Sequence, residues 1–477
     1  TYYMVSTTMH FMPGCEILQS FDLVHWEHVT YVYETLDHTD AQQLKSGHNI
    51  YGQGMWAASL RYHEGRFYIC FVANDTRKTY LYTSEKIDGP WKKQLIEGFY
   101  HDGSLLFDED GRNYIVYGND EIWITELNED LTAPKKDGLH RLLVSDHKNP
   151  ELGYEGSHIQ KINGYYYIFL VHSLRDRWMR TEACFYSDSL EGEFTGGDVL
   201  CDDRGYCGQG VAQGGIVDTP DGKWYAMLFQ DSGAVGRIPI LLPVTWKDHF
   251  PVFGQNGHVP EEIEVHSTRP GYIYQPLVGS DDFCNGLLPR WQFNHDPDPR
   301  YYHLDALQGT YTITTREVCT ELTQAVNTLT QRMSYPSCAA EVTVDASALK
   351  DGDVAGLCAF QSCYAAVGIT KHHGKYEVLM LDKKEDGILD MTEGTVVESH
   401  QMDFRLEADF CNMKDEARCY YRVNKGDWLP IGTVHKLYFK LDHFTGCRFG
   451  LFCYAAEETG GSACFRDFKY YDVDEIS

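Results

Sequence analysis

Across the first 270 residues the apolar positions come in short alternating or continuous runs, and the 3.6-residue period of an amphipathic helix is absent. Phe67-Tyr68-Ile69-Cys70-Phe71-Val72 and Tyr165-Tyr166-Tyr167-Ile168-Phe169-Leu170 read as strands bounded by turns. These runs repeat. Gly-x-x-Tyr followed by apolar alternation occurs at Gly65 to Tyr68, Gly111 to Tyr114, Gly164 to Tyr167 and Gly222 to Tyr225, and Thr1-Tyr2-Tyr3-Met4-Val5 matches its second half. The five copies lie 46 to 65 residues apart. Each complete copy starts at a turn (His63-Glu64-Gly65, Glu109-Asp110-Gly111, Ile162-Asn163-Gly164, Thr219-Pro220-Asp221-Gly222), where one strand of a hairpin hands over to the next. A second signature marks an outer hairpin: Ser20-x-Asp22-Leu23 with Trp26, Ser84 with Gly89-Pro90-Trp91, and Ser187 with Leu190-x-Gly192 and Phe194. Four-stranded units at this period predict a five-bladed β-propeller, with a plain β-sandwich as the competing arrangement.

The period stops near Ser267-Thr268-Arg269-Pro270-Gly271. From Asp281 onward, segments such as Gly309-Thr310-Tyr311-Thr312-Ile313-Thr314 and Lys375-Tyr376-Glu377-Val378-Leu379-Met380 are separated by Gly and Asp turns. The chain is therefore expected to be all-β. A propeller spans 1–270, with the N-terminal part of its first blade missing, and an antiparallel β-sandwich spans 281–477.

Composition narrows the function. With 477 residues, 43% hydrophobic and 23% charged, the chain is long enough for two cores, and no apolar run approaches the roughly 18 residues of a membrane helix. A net charge of −29 repels phosphate backbones and anionic lipid, so nucleic acid and membrane are excluded as partners and neutral ligands are favoured. The odd count of fifteen cysteines, with Cys201 and Cys207 too isolated for a zinc site, points to free thiols and a reducing, cytoplasmic setting.

In a propeller the innermost strands converge on one funnel, so equivalent repeat positions become neighbours. Twelve residues before the repeat tyrosines stand Trp56, Asp102, Glu155 and Gln213, each among glycines that leave room for a ligand. The same count from Tyr3 falls roughly ten residues before Thr1. Two carboxylates across a sugar suit glycoside hydrolysis, one protonating the leaving oxygen and one activating water. A desolvated carboxyl facing another negative charge holds its proton toward neutrality, which makes Glu155 the candidate acid. A structural ion pair explains the spacing equally well. Trp56 serves as core or as a stacking surface, and Arg237 as an orienting cation or a bridge between blades. Phe11 supplies a further aromatic wall. His158 and His10 stand within reach of sugar hydroxyls or are satisfied inside the fold. Asp108-x-Asp110-Gly111 reads as a hairpin turn rather than a calcium loop.

At these residues the sequence resembles glycoside hydrolase family 43. The landmarks are Tyr2-Tyr3-Met4-Val5-Ser6-Thr7-Thr8, Phe11-x-Pro13-Gly14, Ser20-x-Asp22-Leu23-Val24-x-Trp26, Asp102-Gly103-Ser104, Glu155-Gly156-Ser157-His158, and Gly208 to Asp231 with Val235-Gly236-Arg237. The resemblance implies an inverting mechanism, with Asp102 tuning pKa, Glu155 the general acid and Arg237 the active-site arginine. It implies a concanavalin-like accessory sandwich of the xylosidase and arabinofuranosidase type. The expected partners are plant cell-wall oligo- or polysaccharides (arabinoxylan, xylan, xyloglucan), attacked from chain ends to release α-L-arabinofuranosyl or β-D-xylosyl units. A binding propeller without activity and an endo-arabinan hydrolase are the alternatives. Two departures stand out: the family's base aspartate precedes the Tyr-Tyr-Met-Val-Ser run, so no residue here takes its role, and Gln213 replaces a histidine associated with calcium. No cofactor is required by this reading, and calcium at the propeller centre is left open.

Overall fold

The computed structural model describes residues 1–472, and its regular elements are strands and four short 3-10 turns. Each repeat tyrosine lies on a strand of a different antiparallel sheet. The first sheet holds Tyr2–Ser6, Gly14–Ser20 and Glu27–Tyr33. The second holds Met55–His63, Arg66–Ala73, Lys78–Ser84 and Lys92–Ile96. The third holds Ser104–Phe107, Asn113–Asn119, Glu121–Leu127 and His140–Ser145. The fourth holds Glu155–Ile162, Tyr165–Ser173, Arg180–Ser187 and Thr195–Leu200, and the fifth Ala212–Asp218, Trp224–Asp231, Arg237–Lys247 and Phe250–Phe253. These are five blades of a propeller, the first with three strands and the rest with four. Tyr114, Tyr167 and Tyr225 are buried.

The Gly-x-x-Tyr repeat has a local cause. At Glu64-Gly65 and Asn163-Gly164 both central residues take positive φ (46° and 78°, 49° and 85°). That is the two-residue turn whose twist matches its flanking strands, and glycine adopts it without steric cost. The tyrosine three residues on then points into the seam between blades; the Tyr167 hydroxyl donates to His249 O at 2.7 Å and that of Tyr225 to Glu264 O at 2.8 Å.

The C-terminal part is a two-sheet sandwich of nine and seven strands around a core that includes Phe283, Trp291, Phe404 and Phe465. The nine-stranded sheet borrows a strand from the propeller: Phe11–Met12 pairs antiparallel with Gln292–Asn294. Around this splice Arg332 pairs with Glu16 at 2.6 Å, Arg316 Nη2 donates to Gln43 O and Leu44 O at 3.0 Å, and Gln292 donates to Pro13 O at 2.7 Å. The seam also buries His10, His295 and His443, with ring centroids 4.7 to 5.0 Å from the central His10. Burial holds all three imidazoles below their ordinary range, His443 at about 3.

Candidate active site

The first strands of neighbouring blades touch around the axis: Met55–His63 against Ser104–Phe107, that strand against Glu155–Ile162, and that against Ala212–Asp218. At the mouth their ladders are irregular. The register slips between Met55 and Ala58, between Glu155 and His158, and between Ala212 and Gly215. An extra residue in a strand re-aims the side chains beside it. In the third blade the same place is taken by Asp102, just before its strand, at φ 47°, and Gln213 sits in the bulge of the fifth at φ 64°.

These irregularities bring Asp102 and Glu155 together. His101 Nε2 lies 3.5 Å from Asp102 Oδ2 and 3.4 Å from Glu155 Oε2. The Gly156 N–H donates to Asp102 Oδ2 at 3.0 Å, and Asn119 Nδ2 donates to Glu155 Oε2 at 2.7 Å. Exposure is unequal: 4% for the Asp102 side chain and 20% for Glu155. Burial pushes Asp102 up to about 6, the negative charge of Glu155 adds to that, and His101, the Gly156 amide and Arg237 oppose it. Among the described residues, His101, Asp102 and Glu155 form a group with donor atoms all within 4.8 Å of one another. Both carboxylates already accept N–H bonds on the oxygens nearest His101, so we read the group as proton-handling.

Around the carboxylates stand an indole, a guanidinium and a phenyl ring. Trp56 lies 5.8 Å from His101 and 5.4 Å from Phe444, centroid to centroid. The Arg237 guanidinium is sandwiched between Phe229 at 4.2 Å and Phe444 at 4.8 Å, and pairs with Asp231 at 3.3 Å; Asp231 also pairs with Arg180. Phe444 comes from the sandwich domain. Its loop crosses Gly52, where any Cβ would meet Leu441 O at 2.2 Å, and is fastened by Cys447 N–H to Ala234 O at 2.8 Å. The second domain thus supplies a wall of the funnel.

Below the mouth, Arg61 fills the axis. Its Nε donates to Leu105 O at 3.0 Å, Nη1 to Leu60 O at 2.9 Å, and Nη2 to Ser104 Oγ at 2.7 Å and Ile159 O at 3.0 Å, tying three blades together. His158 lies beside this cation; burial, and then the Arg61 charge, lower it to about 3.

Of the residues singled out from sequence, Asp102, Glu155, Trp56 and Arg237 meet at the mouth. Gln213 packs its amide against Gly156, 2.8 Å from the position of a Cβ there, and its backbone N–H donates to Glu182 at 2.7 Å. Phe11 is placed elsewhere, 1% exposed in the domain seam with Arg448 over its ring at 4.3 Å. This corrects its expected role as a sugar-facing wall: the chain leaves the first blade at Phe11 to pair with the sandwich. His10 is buried in the same seam, and His158 faces Arg61 and Gly215 rather than Glu155. Sequence reasoning missed His101, Asn119 and Phe444. His101 had a signal, standing one residue before a counted position.

The family description "Glycosyl hydrolases family 43" matches residues 1–251, and "Beta xylosidase C-terminal Concanavalin A-like domain" matches 280–471. A beta-xylosidase of Formosa agariphila is 26% identical over 99% of this chain and 86% of its own. A xylosidase/arabinosidase of Butyrivibrio fibrisolvens is 23% identical over 100% of this chain and 95% of its own. Among solved structures, a bifunctional GH43-CE protein of Bacteroides eggerthii superposes with a TM-score of 0.91 at 42% identity. All of this chain is covered in that match, and it spans 61% of the Bacteroides protein.

Proposed function

The chain belongs to glycosyl hydrolases family 43, and from that premise we propose that it is an inverting, exo-acting glycosidase removing α-L-arabinofuranosyl or β-D-xylosyl units from plant hemicellulose. One observation carries the reading: Asp102 and Glu155, from separate blades, are brought to one aromatic-walled mouth with His101 between them. Relatives named xylosidase and xylosidase/arabinosidase support the substrate class.

In the proposed reaction Glu155 gives its proton to the glycosidic oxygen as the bond to the anomeric carbon breaks. Water attacks the opposite face of the sugar and loses its proton to a base. Asn119, donating to Glu155 Oε2 at 2.7 Å, fixes the carboxyl, and Asp102 stands beside it against the same His101 nitrogen. Trp56 and Phe444, packed 5.4 Å apart, present aromatic faces beside the carboxylates for a sugar's apolar side, and exo action follows the family resemblance. By the repeat spacing, the base is sought on the innermost strand of the first blade. The proposed reaction uses no metal: the Arg61 guanidinium at the axis places a fixed positive charge where a cation would otherwise sit, and calcium takes six to eight oxygens.

The test uses the full-length protein on matched aryl arabinofuranoside and aryl xyloside, with the anomer of the first product read by proton NMR. Faster turnover of one pentoside and an inverted anomer are expected. A retained anomer overturns the mechanism. Sugar binding without hydrolysis, together with no aspartate about ten residues upstream of Thr1 in the gene, makes the chain a binding propeller.

A further inference from the structure

Glu155 needs a proton to act, and beside it stands a second base for the same proton. His101 Nε2 is 3.4 Å from Glu155 Oε2 and 3.5 Å from Asp102 Oδ2, and among the described residues these two carboxylates are its partners. Two arrangements of one proton are available. In the first His101 is neutral and Glu155 protonated; in the second His101 is cationic and Glu155 ionised. Both carry the same net charge, so bulk pH does not choose between them, and the surroundings do.

We propose that His101 and Glu155 share the single proton destined for the leaving group, so that His101 is a positioning residue setting the fraction of molecules ready to react. The transfer balances within the pair: an Nε2–H bond breaks as a carboxyl O–H bond forms, leaving a neutral imidazole. The proton sharing is a property of this geometry, while its kinetic consequence rests on the glycosidase reading above.

The groups facing the pair act in opposite directions. Burial favours a neutral His101, whereas Glu155 and Asp102 together hold the imidazole above its ordinary range, and Arg77, from the turn within the second blade, opposes them. Asn119 donates to Glu155 Oε2 at 2.7 Å, and the Arg237 charge faces the same carboxylate. Trp56, 5.8 Å from His101, and Phe444 beside it add apolar surface and no charge. Two sites for one proton keep it in the cluster to higher pH than either site alone, and the observed midpoints belong to the cluster.

The consequence separates this role from a structural one. Without the imidazole the proton has only Glu155 to occupy, so the fraction of ready molecules rises on the plateau while the alkaline limb of kcat moves to lower pH.

The experiment is a long-range proton–nitrogen NMR titration of ¹⁵N-histidine-labelled full-length protein as wild type, Glu155→Gln and His101→Asn. The Asn variant assigns the His101 signal, and His101→Gln serves should it fail to fold. The expected result is a His101 midpoint that falls by about one pH unit or more in Glu155→Gln, the scale of losing one close charge partner. An unmoved midpoint overturns the proposal, whether or not the protein hydrolyses glycosides. In the pH–rate profile, His101→Asn is expected to raise the plateau and shift the alkaline limb toward acid. A lowered plateau with the limb in place contradicts the proposal. Loss of the glycosidase reading appears differently, as no turnover in any of the three proteins with the titration coupling intact.

Discussion

The mouth of the funnel and the axis beneath it are built from the same first strands of the same blades, and they are finished in opposite ways. At the mouth the strands bulge, Asp102 and Gln213 adopt positive φ, and Asp102 Oδ1 and Trp56 Nε1 are buried without a hydrogen-bond partner among the described residues. Five residues further along from Trp56 is Arg61, and four along from Glu155 is Ile159. There the guanidinium makes four hydrogen bonds and Ser104 Oγ also accepts from Ile159 N–H at 3.2 Å. An unpaired buried polar group costs on the order of 1–3 kcal/mol, and a bonded one costs little. The contrast teaches where the propeller spends stability: the Arg61 cation at its axis is hydrogen-bonded through all three nitrogens, whereas at its mouth Asp102 keeps one carboxylate oxygen unpartnered and so able to respond to a substrate.

The strongest way to break this contrast is at the axis. Arg61→Met leaves two carbonyls and a hydroxyl from neighbouring blades without their donor, and unfolding is expected to be easier by about 3–5 kcal/mol. Denaturant midpoints measure it; a change below about 1 kcal/mol means the blades do not depend on this pin.

Asp102→Asn should have the reverse sign. In the folded protein Asp102 loses its proton near 6, above the ordinary carboxylate value of 3.8. The folded state therefore binds more protons between those values, and ionising Asp102 costs stability as pH rises from about 4 to 6. The Asn variant escapes that cost. It should be more stable than wild type by about 1–3 kcal/mol at pH 7, with the gain disappearing by pH 4, while hydrolysis falls. Equal stability at both pH values contradicts the burial argument.

Phe444→Ala is the mildest change, removing a ring that faces Trp56 and Arg237 without altering any carboxylate. KM is expected to rise about tenfold with unfolding little affected, because the loss falls on sugar contact. An unchanged KM moves the sugar away from this wall.

Much of this arrangement is legible in the amino-acid sequence. The repeat tyrosine sits at a fixed place on one strand of every blade, so its spacing counted the blades, and equal modules put Asp102 and Glu155 at one mouth. The count is good to about one residue, since the bulges insert positions unevenly; His101, beside Asp102, was lost to that uncertainty. Phe11 was misplaced because a two-residue strand that joins a distant sheet carries no local signal of its partner. Phe444 was invisible for a related reason: a loop closing over another domain is fixed by long-range packing, and no periodicity connects it with Trp56. Local pattern reports the module, and contacts between modules have to be seen.

The central claim is that Glu155 delivers a proton to the leaving group from this mouth. The direct measurement is the turnover of full-length wild type and Glu155→Gln on aryl pentosides of graded leaving-group acidity. The expected loss is about 10²–10⁴-fold for poor leaving groups, shrinking toward none for a dinitrophenyl glycoside that needs no protonation. A loss of the same size across the whole series contradicts the account.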